Sequence, residues 1–366
     1  MKFSTPRFAA ITISAGLLTA QGSFGAAGDG PKRDDRVKVS PRAESVIKGA
    51  LRYLSTQQRK SKKVINGREV EIGYWGISRE ESRYPVAMTG YTLMAYMSAG
   101  NIPGEGPHGR EVAAGMEYLL DAINDSTGIY GKQAYGQYMY GHGIATIALA
   151  ELYGQTRNPR IRKKLQAVID RIVASQNSQG GWRYRPVKRD ADISVTVLQC
   201  VALRAAKNAG LDVPQKTIQQ AIKYVEACYH SSGGFSYQPG SSPGFARTAA
   251  AIYSLQVCGK YGTAKVKAGS NYLNSRINGG SFKSQEWFVY GNFYAAPAQY
   301  MIGGPTWENW YSKMSKYLLD KDKLKSEAGM FRWDSTGRGG VGPVFTTAVF
   351  TMILAMPYNY IPLYQR

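Results

Sequence analysis

Residues 176–206 read QNSQGGWRYRPVKRDADISVTVLQCVALRAA. A polar segment runs into a double glycine and Trp182, and after a short charged stretch an almost uncharged run begins at Ile193. Small and apolar residues fall on every face of that run, which is the pattern of a helix buried all round. The same order recurs along the chain. Glycine-aromatic segments GYWG, GIYG, GGWRY, GGFSY, GGSF and GMFRW carry the markers Trp75, Tyr130, Trp182, Phe235, Phe282 and Phe331. Self-similarity at a period of about fifty residues marks a repeat architecture.

Each turn is preceded by an amphipathic stretch, such as Lys48-Gly49-Ala50-Leu51-Arg52-Tyr53-Leu54, Ala221–Val225 or Lys267–Leu273. Apolar residues three and four apart give these helices one buried stripe and one wet face. Each turn is followed by an apolar partner: VAMTGYTLMAYMSAG, GHGIATIALAELYG, ISVTVLQCVALRAA, RTAAAIYSLQVCG, NFYAAPAQYMIGG and FTTAVFTMILAM. Polar outer helices and apolar inner helices in six pairs describe two concentric rings. An open solenoid needs atypical capping repeats at its ends, yet the first and sixth units are as apolar as the middle ones. The predicted fold is therefore all-α, a closed α/α toroid of six helix pairs. Inner helices are expected to start near residues 86, 141, 193, 246, 291 and 344, with the aromatic turns on one rim. Asn66-Gly67 between β-formers adds a small β-hairpin near residues 64–72.

Gln176–Trp182 fits the Gln-to-Trp repeat motif of squalene and hopene cyclases, and Lys48-Gly49, Tyr53-Leu54 and Gln58 match its front half. YGHGIATIALAELYG, GGWRYRP, ISVTVLQCVALRAA and FTTAVFTMILAMPYNYIPLYQ resemble the exported prenyltransferase/squalene-oxidase-repeat proteins of planctomycete-type bacteria. The resemblance spans residues 42 to 366. It implies the α/α-toroid superfamily that also holds terpene cyclases and protein prenyltransferase β subunits. For activity it implies little, because one fold hosts many functions.

Lys2 and Arg7, an apolar run from Phe8 to Ala20 and small residues at Ser23 and Gly25 read as a signal peptide over residues 1–25, cleaved after Gly25 or Ala27. Residues 26–41 read as a flexible linker and 42–366 as one toroid domain. The inner helices are too short and glycine-interrupted for membrane spans. The expectation is an exported protein, periplasmic or secreted. A formal charge of +21 favours anionic partners, which for an exported protein means anionic lipid or polysaccharide rather than nucleic acid. The charges are spread over outer helices, which is the pattern of a solvated exterior. The one dense basic run, Arg59-Lys60-Ser61-Lys62-Lys63, reads as a solvated loop or an anionic contact. No feature specifies an oligomeric state.

Cys200, Cys228 and Cys258 lie in helical segments without a Cys-x-x-Cys spacing and read as packing residues, with one disulfide at most. The Asp-x-Cys pair that the prenyltransferase resemblance would require for zinc is absent, and neither a metal nor a cofactor is expected. Class II cyclisation needs an Asp-x-Asp-Asp motif with a neutral, strongly acidic carboxyl. The corresponding stretch here is Asp190-Ala191-Asp192-Ile193. Asp192 stands where the proton donor would be and Asp190 precedes it, but Ile193 replaces the next acid. An Asp before an apolar helix is also an ordinary N-cap, and Arg185, Lys188 and Arg189 nearby favour ionised carboxylates. Whether the chain is an enzyme is left open by these residues.

A different signal is aromatic. The chain has 26 Tyr against 11 Phe and 6 Trp. Tyr84, Tyr138, Tyr140, Tyr290 and Tyr294, with Phe245 and Trp287, gather at inner-helix starts, joined by His142 and Arg247. In a toroid those ends open on the central cavity, which the rings either line as a binding surface or simply fill. The expected function is binding of an apolar or amphipathic, isoprenoid-like small molecule in an aromatic cavity. The alternatives are a cyclase-like or prenyltransferase-like enzyme with a non-standard active site, and a carbohydrate-active toroid. Glycoside hydrolysis asks for two carboxylates across the cleft, and the mouth offers Asp190 and Asp192, with Glu286 distant.

Overall fold

The computed structural model describes residues 36–364 except 66, 77, 79, 132–137, 279–286 and 336–339. The expected leader, most of the linker and the fifth marker, Phe282, lie outside the described residues.

Twelve helices alternate between two rings among the described residues. The outer set is α1 (Pro41–Thr56), α3 (Gly109–Ala122), α5 (Pro159–Ser175), α7 (Gln215–Ala227), α9 (Ala264–Asn278) and α11 (Gly304–Leu318). The inner set is α2 (Pro85–Ser98), α4 (Tyr138–Thr156), α6 (Ile193–Asn208), α8 (Phe245–Val257), α10 (Phe288–Ile302) and α12 (Pro343–Ala355). Inner starts thus fall within three residues of those expected. Outer helices form because local signals agree. Ser40 accepts the Ala43 N–H at 3.2 Å with Pro41 at the first helical position, and Asn158 with Pro159 does the same for α5. In α5, Ile161, Leu165, Val168, Ile169 and Ile172 make the single buried stripe. Inner helices are covered on all sides, and every residue from Val86 to Ser98 in α2 is buried. Glycines let them approach: a Cβ on Gly90 of α2 would lie 3.1 Å from the backbone of Ala145 in α4, and one on Gly291 of α10 would lie 3.1 Å from the Cα of Ala246 in α8.

Successive inner helices pack side by side in the order α2, α4, α6, α8, α10, α12, and α12 packs against α2. The ring is closed. Each outer helix packs chiefly on the inner helix before it in the chain, and α1, which has none, packs on α12. At this seam the buried Glu81 accepts the N–H groups of Val344 and Phe345 at 2.9 and 3.1 Å, capping α12 from the other end of the chain. Gly342 makes room for it, since a Cβ there would collide with the Glu81 side chain.

The aromatic turns are built alike. The indole N–H of Trp75, Trp182 and Trp333 donates to the carbonyls of Leu54, Ile172 and Leu318 at 2.6, 2.8 and 2.9 Å. The backbone N–H of Trp75, Trp182, Phe235 and Trp333 donates to Thr89, Thr196, Thr248 and Thr347 on the following inner helices. The sixth buried ring is accordingly Trp333, a correction to the expected Phe331, which is half-buried under the Arg42 guanidinium.

The first hairpin is longer than expected, pairing β1 (Arg59–Ile65) with β2 (Arg68–Tyr74). The basic run is therefore a strand, and acids hold it: Lys60 faces Glu71 and Glu111, Lys62 faces Glu69, and Lys63 faces Asp121. A second hairpin, β3 (Leu324–Glu327) with β4 (Met330–Trp333), packs on α1. Its two-residue turn places Ala328 at φ 48° and Gly329 at φ 74°.

After α12 the chain crosses the ring. The short turn Pro362–Tyr364 packs on both α4 and α10, which stand opposite each other in the six-helix order. Leu363 donates its N–H to buried Glu151 of α4 at 3.4 Å, and Tyr364 meets Tyr253 of α8 at 6.3 Å. Ile361, Leu363 and Tyr364 are buried. The tail thus lies over the C-terminal ends of the inner helices, opposite the N-terminal mouth of the ring.

Candidate binding site at the mouth of the inner ring

Half-buried tyrosines from four parts of the chain meet at the N-terminal end of the inner ring. Tyr140, in the first turn of α4, stacks on Tyr184 with ring centroids 6.0 Å apart and planes inclined by 27°. The Tyr184 hydroxyl lies 2.6 Å from that of Tyr237. Tyr290, in the first turn of α10, donates its hydroxyl to the Ser194 carbonyl at 3.2 Å and meets Tyr294 edge-on at 5.1 Å. Burial pushes the hydroxyls of Tyr140 and Tyr290 well upward, and for Tyr140 the next causes are the neighbouring Tyr290 and Asp192. These rings are neutral and can donate hydrogen bonds. Beneath them Tyr294, Phe293, Tyr91 and Phe345 form a chain of edge-to-face contacts with centroids 4.8 to 5.1 Å apart. The result is an aromatic cluster in which the Tyr184 and Tyr237 hydroxyls pair with each other and that of Tyr290 is held by the Ser194 carbonyl.

A cluster of one base and two acids adjoins these rings. Arg183 pairs with exposed Asp190, lies 3.7 Å from buried Asp192, and places its guanidinium 5.2 Å from the Tyr184 ring centroid. Asp192 is the N-cap of α6, with Oδ1 accepting the Val195 N–H at 3.0 Å. Burial pushes its carboxyl above the ordinary aspartate value, against the pull of the Val195 N–H, Tyr237 and Arg183. The cation beside the two acids is Arg183, where the sequence pointed to Arg185, Lys188 and Arg189.

The other expected cavity residues divide. Tyr290, Tyr140 and Tyr294 converge. Tyr84 and Tyr138 are half-buried at the starts of α2 and α4. Phe245 is buried against Gly291 between α8 and α10. Arg247 turns back to the Ser242 carbonyl at 2.9 Å, and Trp287 is an exposed residue just before α10. His142 faces the other way, a correction to its placement in the cavity. Its Nε2 lies 3.0 Å from the Gly128 carbonyl and its ring sits edge-on to Tyr130. It stands in α4 where Thr89 and Thr347 stand in α2 and α12, and it holds a turn as they do. Burial pushes it down to about 4, so it is neutral at pH 7.

Tyr184 and Tyr237 were missed in the sequence, although both stand two residues after a marker aromatic, in Trp-Arg-Tyr and Phe-Ser-Tyr. That shared offset was the available signal. A groove beside the outer helix α9 is lined by Tyr229, Pro243, Tyr272 and Arg276. Its rings are covered by cations, Lys265 over Tyr229 and Arg276 over Tyr272. Among the described residues no group of three or more His, Cys, Asp or Glu could hold a metal ion, and no helix is long and apolar enough to cross a membrane.

Residues 202–292 match the family model of the prenyltransferase alpha-alpha toroid domain. No curated protein matches the chain. Among solved structures, a sugar epimerase from a ruminal bacterium superposes with a TM-score of 0.62 at 10% identity, covering 87% of this chain and 98% of that one. A GH76 α-mannanase from Bacteroides thetaiotaomicron gives 0.60 at 11% identity, covering 87% and 96%. A type II terpene cyclase from Scytonema, solved with geranylgeranyl dihydroxybenzoate, gives 0.54 at 12% identity, covering 88% and 99%. At such identities the likeness is one of fold, and the neighbours handle both sugars and terpenoids. The chain has an α/α-toroid fold.

Proposed function

We propose that this protein is an exported binding toroid that holds an amphipathic, isoprenoid-like molecule in the mouth of its inner ring. The observation that carries the reading is the convergence of Tyr140, Tyr184, Tyr237 and Tyr290 above an aromatic floor, while the opposite end is crossed by the chain's own tail. Aromatic rings supply apolar contact to a hydrocarbon chain, and their hydroxyls, with Arg183, suit a polar head. Catalysis is the weaker reading because the acids do not make a catalytic set. Asp192 already accepts a backbone N–H as a cap, Asp190 is neutralised by Arg183, and Ile193 stands where a further acid would be needed.

Calorimetric titration with geranylgeraniol and, separately, with cellobiose tests this, with mass spectrometry of the probe after incubation. Saturable binding of the prenyl alcohol, recovered unchanged, is the expected result. Binding of cellobiose alone would move the reading to a carbohydrate-active toroid. Conversion of either probe would make the protein an enzyme, and binding of neither would end the proposal.

A further inference from the structure

Cys200 lies in α6 and Cys258 caps the end of α8, the neighbouring helix of the inner ring. Their Sγ atoms are 3.4 Å apart. Sulfurs in contact mean that the two side chains point at one another, which is a geometric condition for bridging them. Cys200 is buried and Cys258 is half-buried. The third cysteine, Cys228, is buried at the end of α7 beside Tyr224.

We propose that Cys200 and Cys258 form a thiol–disulfide site, closing under oxidising conditions to a bond that staples α6 to α8. This inference is independent of what the mouth of the ring binds. The accessible partner is Cys258, so it reacts first. Its thiol gives its proton to solvent, and the thiolate attacks one sulfur of a small-molecule disulfide, releasing one thiolate of the reagent. Cys200 then loses its proton and attacks the Cys258 sulfur of the mixed disulfide, releasing the second. Two protein thiols are oxidised and one reagent disulfide is reduced to two thiols. The Cys258 contact and then burial hold the Cys200 thiol well above its ordinary value, and the Arg204 guanidinium acts in the opposite direction. The difference in exposure fits Cys258 as the attacking group and Cys200 as the resolving one. The bond would close a long loop and join two walls of the inner ring, so the oxidised form should resist unfolding more than the reduced form.

The test is incubation of the folded full chain with oxidised glutathione, followed by alkylation and mass spectrometry without reduction. The expected result is loss of two hydrogens, a cross-linked peptide pair containing residues 200 and 258, a single alkylatable thiol at Cys228 under denaturing conditions, and a higher melting temperature than the reduced protein. Cys200→Ser should leave a persistent glutathione adduct at Cys258, and Cys258→Ser should leave Cys200 unmodified in the folded state. Three alkylatable thiols after oxidation, a glutathione adduct at Cys258 that wild type fails to resolve, or a link through Cys228 would overturn the proposal. The serine variants separate these outcomes from misfolding, because each must retain wild-type helical circular dichroism to be scored.

Discussion

Asp192 shows how one side chain carries two readings that only contacts can separate. From the sequence it was both a candidate proton donor and a candidate cap. In the structure its Oδ1 holds the Val195 N–H, so the cap is an observed bond. Asparagine caps about as well as aspartate, whereas alanine cannot cap. Asp192→Asn should therefore leave stability nearly unchanged and Asp192→Ala should cost about 1–2 kcal/mol, measured by urea unfolding. Equal losses for both variants would mean that the charge beside Arg183, and not the cap, is what the site needs. His142 was illegible for a different reason. Its neighbours in sequence are glycines and tyrosines at a helix start, and the residue it replaces in the repeat is threonine, so only the Gly128 carbonyl reveals its role. Tyr184 and Tyr237 lie in turns, where hydrophobic periodicity is silent.

At the scale of the element, the six inner helices were legible because their composition leaves no wet face, and burial all round follows directly. The second hairpin was not. Its turn uses Ala328 in the left-handed region before Gly329, a position where the usual signal is Asn or Asp. The C-terminal tail was also opaque, since Pro362-Leu363-Tyr364 reads as a loose end until Glu151 and Tyr253 are placed beneath it. Burial raises the Glu151 carboxyl from 4.5 to about 8, so the folded protein holds a proton there that the unfolded chain releases. This contribution to stability is complete below about pH 4.5 and is lost as pH rises through about 8. Glu151→Gln mimics the protonated form. It should match wild type near pH 4 and exceed it by about 1–4 kcal/mol at pH 9, read from denaturant midpoints across that range. A pH-independent difference would show that the carboxyl does not bury as described.

For the whole molecule, closure is the property that no single repeat encodes. The apolar character of the first and sixth units pointed to it, and the packing of α1 and α2 on α12 realises it. Glu81 could not be singled out in a run of Glu80, Glu81, Ser82 and Arg83. It is buried because α12 begins after Gly342, which has no side chain to cap with, and a carboxylate from across the seam takes that place. Only a closed ring brings Tyr140 of α4 to the same mouth as Tyr290 of α10, so fold and binding are one claim. The most direct measurement is geranylgeraniol binding by the double variant Tyr140→Ala/Tyr290→Ala, followed by calorimetry with helical circular dichroism recorded on the same sample. Both rings are half-buried and pack against the outside of the fully buried core. Their removal should weaken binding by at least tenfold, on the order of 1.4 kcal/mol, with the helical signal unchanged. Undiminished binding with intact helicity would contradict the site, and loss of helicity would show that the two tyrosines hold the ring together instead of facing a ligand.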